Sequence, residues 1–550
     1  MADATLQLSE FQRSLYKKAY EKACAFSNAG SPTILNYSEN YHSSLPRSFK
    51  KTTLSTILNE IMRHQIVLYG DFHTLKQSQR GLYRLLDALR AQRPKKEVII
   101  ALEMFRANDQ KHLDKYMTGE YEEQEFLELC DYERTWGFPW NNYKMILDFA
   151  REANYKVVGI NTKSSGKDKL DKRDQFAAKE LLALSKAKPQ AVIMCMIGEY
   201  HLADKHLPEK LQNESKSIGT KVLRIFTNVD RYYFLNPTPH SSPSSEYLDL
   251  GQNKYCILNS PPWIKWHSYT IWEETRNIET YVQERDYYDN YGEIYTEETF
   301  DIDSHVLSLV EELCSFLKLP VRRSEITRFD VYWSPEQETL DYLQTKYGIS
   351  DEMMECIVER TIIDGFYFLS FANVFLIADL SLNNLAYACG QFLYVLFKPK
   401  MLQNLPESEM FLSRILESAG GTIASKILNP RRKGTDLETF KNFVKVSSRK
   451  RLIGRAKLRR EAAKCIVEFH DWMHHQTNGG KRLTLPKKFL EIDTKSHFEV
   501  SRDLGQILGY QLYNGVLGQR IPANAMSELF LTGDQVTLRK LFTKIFAQAF

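Results

Sequence analysis

Short, unbroken apolar runs recur through the first half of the chain. Each is followed by a longer stretch in which apolar residues return every three or four positions. The runs are Val67–Tyr69, Glu97–Leu102, Lys156–Ile160, Ala191–Ile197 and Val222–Phe226. Their shortness and lack of alternation predict strands buried on both faces. The intervening periodicity predicts helices over Gln77–Ala91, Asp109–Met117, Tyr121–Asp131, Asn141–Ala153 and Asp171–Ser185. Strands that alternate with helices predict an α/β fold, a parallel sheet with helices on both faces and right-handed crossovers.

The second half has a different rhythm. A helix is expected at Asp303–Leu317, a strand at Arg328–Trp333, and a hairpin pairing Phe366–Leu369 with Val374–Ile377. Beyond it the pattern is helical over Leu382–Phe397, Ser408–Ile427, Leu437–Val446, Lys457–His470, Val500–Val516 and Gln535–Phe546. At the other end, Leu6, Phe11, Leu15 and Tyr16 suggest an amphipathic helix. The expected organisation is a helical extension over 1–45, an α/β domain over 46–275, a junction rich in Glu, Asp and Tyr over 276–300, and a mainly α-helical domain over 301–550.

Composition narrows the class. The chain has 550 residues, 43% apolar and 26% charged, as in ordinary globular proteins. A net charge of +4 is too small for a general nucleic-acid binder. Eight cysteines without a C-x-x-C pair suit reduced thiols. Charged residues such as Arg13, Lys17 and Lys18 interrupt the N-terminal apolar positions, and they argue against a signal peptide or a lipoprotein cysteine at Cys24. The most apolar region, Ile362 to Phe397, is broken by Asp364, Asp379, Asn383 and Asn384, so no transmembrane segment is expected. These features together predict a cytoplasmic protein.

Candidate chemistry collects where the strands end. IVLYGDFHT closes the first run with Gly70, Asp71 and His73, and IMCMIGEYH closes the fourth with Gly198, Glu199 and His201. Glu103 ends the second strand, and Asn161 follows the third. In a parallel sheet these are all carboxyl ends, the edge where open α/β sheets hold ligands. A glycine at each turn lets the chain bend and leaves room for a close approach. The plainer reading is that histidines in such loops cap helices or are solvated. If the loops converge, two imidazoles and a carboxylate suit Mn, Fe, Co or Zn, while a lone histidine among aromatics suits haem iron. Spacing alone does not choose between these.

The residues themselves resemble a known family. GDFH (Gly70 to His73), ALEMF (Ala101 to Phe105) and GEYH (Gly198 to His201) are similar to the hallmarks of the ChaN-like haem-binding proteins, part of a wider group with Tiki and TraB proteins and the erythromycin esterases. ALEMFRANDQKHLDKYMTGE, WGFPWNNYKMILDFA, KRDQFAA and VLRIFTNVD resemble further blocks in order. The resemblance covers about residues 60–235 and extends toward Trp272. It implies a haem- or metal-binding α/β domain with His73, His201 and Glu103 at the site, Gly70 and Gly198 beside them, and Arg173 facing a carboxylate or haem propionate. Asp71 stands where relatives usually carry glutamate, and no export signal like that of haem-uptake relatives is expected from the N-terminal residues.

Three readings follow. The first is a ChaN-like haem- or iron-binding protein whose partner is haem or another small ligand. The second is a metal-dependent hydrolase in which Glu103 or Glu199 handles the proton. The third is an interaction protein with an inert ancestral site. A homo-oligomer is compatible with each.

Three other features carry bland expectations. The basic stretch Lys445–Arg460 reads as a solvated helix face rather than a phosphate contact. His470 and His474 share a helix face but lack a third ligand. KSSGKD (Lys163 to Asp168) is similar to a phosphate loop but lacks its first glycine and its final Ser or Thr.

Overall fold

The structure is a computed structural model. It describes residues 3–27, 32–94, 96–163, 169–214, 222–236, 246–288, 301–398, 401–402, 405–448, 453–479, 485–491, 494–531 and 536–550. Most of the phosphate-loop-like segment, the latter part of the expected junction (289–300) and residues 449–452 of the basic stretch lie outside these. Residues 16–280 form one compact unit, and residues 1–15 with 281–550 form another.

The first unit is built on an eight-stranded sheet. Its strands are β1 (Lys50–Lys51), β2 (Ile66–Asp71), β3 (Val98–Arg106), β4 (Lys156–Asn161), β5 (Val192–Gly198), β6 (Val222–Thr227), β7 (Tyr247–Gly251) and β8 (Lys254–Ile257). The spatial order is β1-β7-β8-β6-β2-β5-β3-β4. All five expected strands are present, and they pair in parallel. The expected parallel sheet is corrected in one respect. β8 adds a sixth parallel strand, but β7 runs against it and pairs antiparallel with both β8 and the edge strand β1, so the sheet is mixed. The hairpin between β7 and β8 turns at Gln252 and Asn253, both at positive φ, as a tight two-residue turn requires.

β2 and β5 are buried along their whole length, which is why they read as continuous apolar runs rather than alternating ones. Alternate residues face opposite layers. Val67, Tyr69, Ile100 and Met194 pack with Leu82, Leu86 and Leu147 from the helices Lys76–Ala91 and Trp140–Ala153. Ile66, Leu68, Ile99 and Cys195 pack with Ala178, Leu181 and Leu211 from the helices Lys169–Ala187 and Leu207–Glu214. β2 leads outward to β3 and β4, and β5 returns to fill the gap between β2 and β3. That insertion sets three carboxyl ends side by side, with Asp71 in register with Gly198.

The second unit is mainly helical. Its small sheet has β9 (Asp330–Trp333) parallel to β11 (Val374–Ile377), which pairs antiparallel with β10 (Phe366–Leu369). The helix Glu407–Leu428 is buried on every side from Phe411 onward. Gly390 in the helix Leu382–Leu396, Gly420 and Gly421 in Glu407–Leu428, and Gly505 and Gly509 in Thr494–Leu517 let these helices cross in close contact. A Cβ on Gly421 would stand 2.6 Å from the Tyr387 ring and 2.8 Å from its carbonyl oxygen. Gly421→Val is therefore expected to lower stability by about 1–3 kcal/mol through overpacking. A denaturant titration followed by circular dichroism checks this. Among the described residues, no helix is long and apolar enough to cross a membrane.

Candidate functional site

Gly198 is the meeting point at the carboxyl edge. A Cβ placed on it would lie 3.1 Å from Nε2 of His73 and 3.4 Å from Cδ2 of His201. Its backbone N–H donates to Oε2 of Glu103 at 2.7 Å. His73 and His201 just beyond β2 and β5, and Glu103 within β3, thus surround one backbone position. Glu103 does not end the second strand as expected, because β3 runs on to Arg106 past a register shift after Leu102. The adjacency follows from the strand order, since β5 lies between β2 and β3.

Each imidazole is held from behind by an aspartate. His73 Nδ1 sits 2.9 Å from Asp71 Oδ2, and His201 Nδ1 sits 2.6 Å from Asp174 Oδ1. An ionised carboxylate can only accept, so both Nδ1 atoms carry the proton. In the neutral ring, Nε2 is then left with its lone pair. Asp71 is fixed in turn by Gln79 Nε2 at 2.6 Å and by the Tyr143 hydroxyl at 2.8 Å. Asp174 takes a hydrogen bond from the Tyr37 hydroxyl at 2.9 Å.

Arg173 lies at the same cluster. One guanidinium nitrogen is 3.2 Å from Glu103 Oε1, and Nε donates to Asn161 Oδ1 at 2.9 Å. His201 Nε2 is 3.5 Å from Glu103 Oε1. Burial alone would raise the Glu103 pKa. The charges of His201, Arg173 and His73, with the Gly198 N–H, overcome this and bring it down to about 2. His201 moves the other way. Burial would lower its pKa, but Asp174 and Glu103 raise it above the ordinary 6.5.

Glu199 is placed differently. Lys265 Nζ donates to its two oxygens at 2.9 and 3.1 Å, and the Tyr41 hydroxyl donates at 3.3 Å. Burial would lower the Lys265 pKa, but the Glu199 carboxylate raises it, so this lysine is held charged. Gly70 lies behind the cluster, where a Cβ would meet Leu202.

The space beside His73 and Glu103 is small. A cavity of about 10 Å³ is lined by Asp71, His73, Glu103, Tyr143 and Trp136, among others, which is room for about one water. His73 is the more open histidine, its side chain 24% exposed against 7% for His201. Trp136 and Phe138 flank its ring at 4.6 and 4.7 Å between centroids. Trp272 stacks on Phe138 at 4.5 Å and donates to the Gly137 carbonyl. Among the described residues, no three His, Cys, Asp or Glu side chains stand where they could hold a metal ion together.

Asp174, Tyr143, Gln79 and Tyr37 are the site residues that sequence reasoning missed. Asp174 had a signal available, since it follows Arg173 in the KRDQFAA block. Tyr143 sits in the WGFPWNNYK block, but nothing there marks it out from the other aromatics.

Residues 57–195 match the family model described as "Haem-binding uptake, Tiki superfamily, ChaN". The matched segment contains His73, Glu103 and Arg173, and it stops short of Gly198 and His201. No curated protein matches the chain. A solved structure described as cofacial heme binding to ChaN of Campylobacter jejuni is similar at 14% identity, over 38% of this chain and 92% of that one, with a TM-score of 0.27.

Proposed function

We propose that the α/β unit is a ChaN-like ligand-binding domain that takes iron, as haem or as an ion, over the carboxyl edge of β2, β3 and β5. His73 and His201 serve as donors, and Glu103 provides the counter-charge. One observation carries the reading. Two imidazoles from distant loops are each fixed through Nδ1 by an aspartate and packed against the same residue, Gly198, where an added Cβ would meet both rings. Proteins orient ligating histidines in this way, because the carboxylate sets the tautomer and raises the basicity of Nε2.

The two forms of iron fit different parts of the cluster. A porphyrin is far larger than the enclosed space, so it fits only on the open side of His73, against Trp136 and Phe138. The cluster offers donor types that an ion takes, two imidazoles and a carboxylate, but as they stand these three side chains are not placed to hold one together, so an ion would require them to rearrange. There Glu103 is held by Arg173 and by Gly198 N–H, so it must exchange the arginine for the ion. A bound ion would supply Lewis acidity at that point.

A second reading, hydrolysis, is favoured by the water-sized cavity beside His73, Tyr143 and Glu103. An Asp-backed imidazole next to a water is placed as a general base.

Titrating the purified protein with haemin and, separately, with ferrous iron tests the proposal. The expected result is a Soret shift or one bound iron per chain, weakened at least tenfold in His73→Ala and in His201→Ala (order of magnitude). Equal behaviour of the wild type and both variants, with no iron retained, overturns it. Hydrolysis of a nitrophenyl ester that is lost in His73→Ala would support the second reading instead.

A further inference from the structure

The helix Pro32–Ser44 lies outside the segment that matches the family model. One of its faces grips the loop that carries His201. Tyr37, Asn40, Tyr41 and Ser44 fall three or four residues apart and so share that face. Ser44 Oγ accepts from the Asp204 backbone N–H at 2.8 Å, and Asn40 Nδ2 is 3.3 Å from His206 Nε2. Tyr41 reaches Glu199. Tyr37 does two things at once. Its ring stacks on His206 at 3.7 Å between centroids, and its hydroxyl donates to Asp174 Oδ2. The other oxygen of that carboxylate holds His201 Nδ1. Tyr37 is 6% exposed and Asp174 fully buried, so water does not substitute readily for either bond.

We propose that the helix Pro32–Ser44 is a working part of the site, and that Tyr37 is a positioning residue that aims His201 through Asp174. A carboxylate restrained at one oxygen only can rotate about its terminal bond. The Tyr37 hydroxyl removes that freedom by fixing the second oxygen, so the imidazole is held at one angle. The inference rests on the reading of His201 as a donor, and its test is read in two independent ways.

Tyr37→Phe removes the hydroxyl and keeps the ring stacked on His206. With histidine labelled by ¹⁵N, the ring signals of His201 are those lost in His201→Ala. They are expected to shift in Tyr37→Phe, and the affinity for ferrous iron is expected to fall about tenfold. Tyr41→Phe removes a hydroxyl from the same helix face that touches Glu199 and not Asp174, and it is expected to leave the His201 signals in place. His201 signals that are unmoved in Tyr37→Phe, or moved alike in both variants, overturn the assignment. A wild-type protein that binds neither haemin nor ferrous iron removes the ligand reading alone, because the ring signals still report whether Tyr37 positions His201.

Discussion

Gly198→Val is expected to abolish ligand binding at the carboxyl edge while the α/β unit stays folded. The backbone at Gly198 has φ −48° and ψ 135°, which an L-residue adopts without strain. Its glycine is therefore required by what surrounds it and not by its conformation. A Cβ there would meet His73 Nε2 at 3.1 Å, His73 Cε1 at 3.3 Å and His201 Cδ2 at 3.4 Å. Alanine forces His73 to give by a few tenths of an ångström, which strains its bond to Asp71. Valine adds two methyl groups in the space the ligand would use. Displacing a positioned group by about 1 Å costs on the order of 100-fold in function, and Gly198→Val is expected to show at least that loss in affinity for haemin or ferrous iron. Overpacking costs about 1–3 kcal/mol, so circular dichroism should still show a folded protein. Gly70→Ala, set beside Gly198→Ala, is the matched comparison. The same Gly-x-x-His motif places Gly70 against the flexible end of Leu202 at 3.2 Å and not against an imidazole. Binding in Gly70→Ala should stay close to wild type. Equal loss in both variants would mean that the two glycines act only through packing.

The contrast between these glycines shows where sequence reasoning reaches and where it stops. Both were visible as turn residues after apolar strands, because a fully buried strand must be written in consecutive apolar residues. The convergence of the loops was visible too, since parallel strands put all their carboxyl ends on one edge. The order of the strands was not. Nothing local to Val192–Gly198 says that it lies between β2 and β3, and that order is what brings Gly198 against both imidazoles. The strands β1, β7 and β8 at one side of the sheet escaped notice because they are short and follow no long apolar run. The helices Gln337–Tyr347 and Asp351–Asp364 were missed because their few buried residues leave a weak helical period. The hydrogen-bond partners were least legible. Tyr37 and Asp174 are 137 residues apart, and Tyr143 and Asp71 are 72 apart. A tyrosine chosen as a donor to a remote carboxylate looks, in sequence, like any other of the 30 tyrosines.

Glu103→Ala is expected to destabilise the α/β unit by about 3–5 kcal/mol, the cost of removing one partner from a buried ion pair. The carboxylate is 5% exposed and lies among Arg173, His201 and the Gly198 N–H. Alanine would leave the Arg173 guanidinium without the carboxylate it faces, while His201 would keep Asp174. Glu103→Gln keeps the volume and one acceptor, and it should cost less. If the loss comes from the orphaned charge and not from the cavity, the double variant Glu103→Met with Arg173→Met should recover much of it, since apolar replacement of a buried pair is often close to neutral. The same group makes stability depend on pH with a definite sign. Glu103 is brought from the ordinary 4.5 down to about 2, so its contribution is fully present above 4.5 and is lost as pH falls toward 2. His201 is raised above 6.5, so its contribution is fully present below 6.5 and is lost as pH rises through its folded value. Together they favour the folded unit most between about 4.5 and 6.5. Hydrogen exchange of β3 and β5 peptides, followed by mass spectrometry across that range, reads this directly. Protection should fall on both sides of the window in the wild type, and the acid limb should flatten in Glu103→Gln. An acid limb of unchanged steepness in that variant would place the titrating carboxylate elsewhere in the unit.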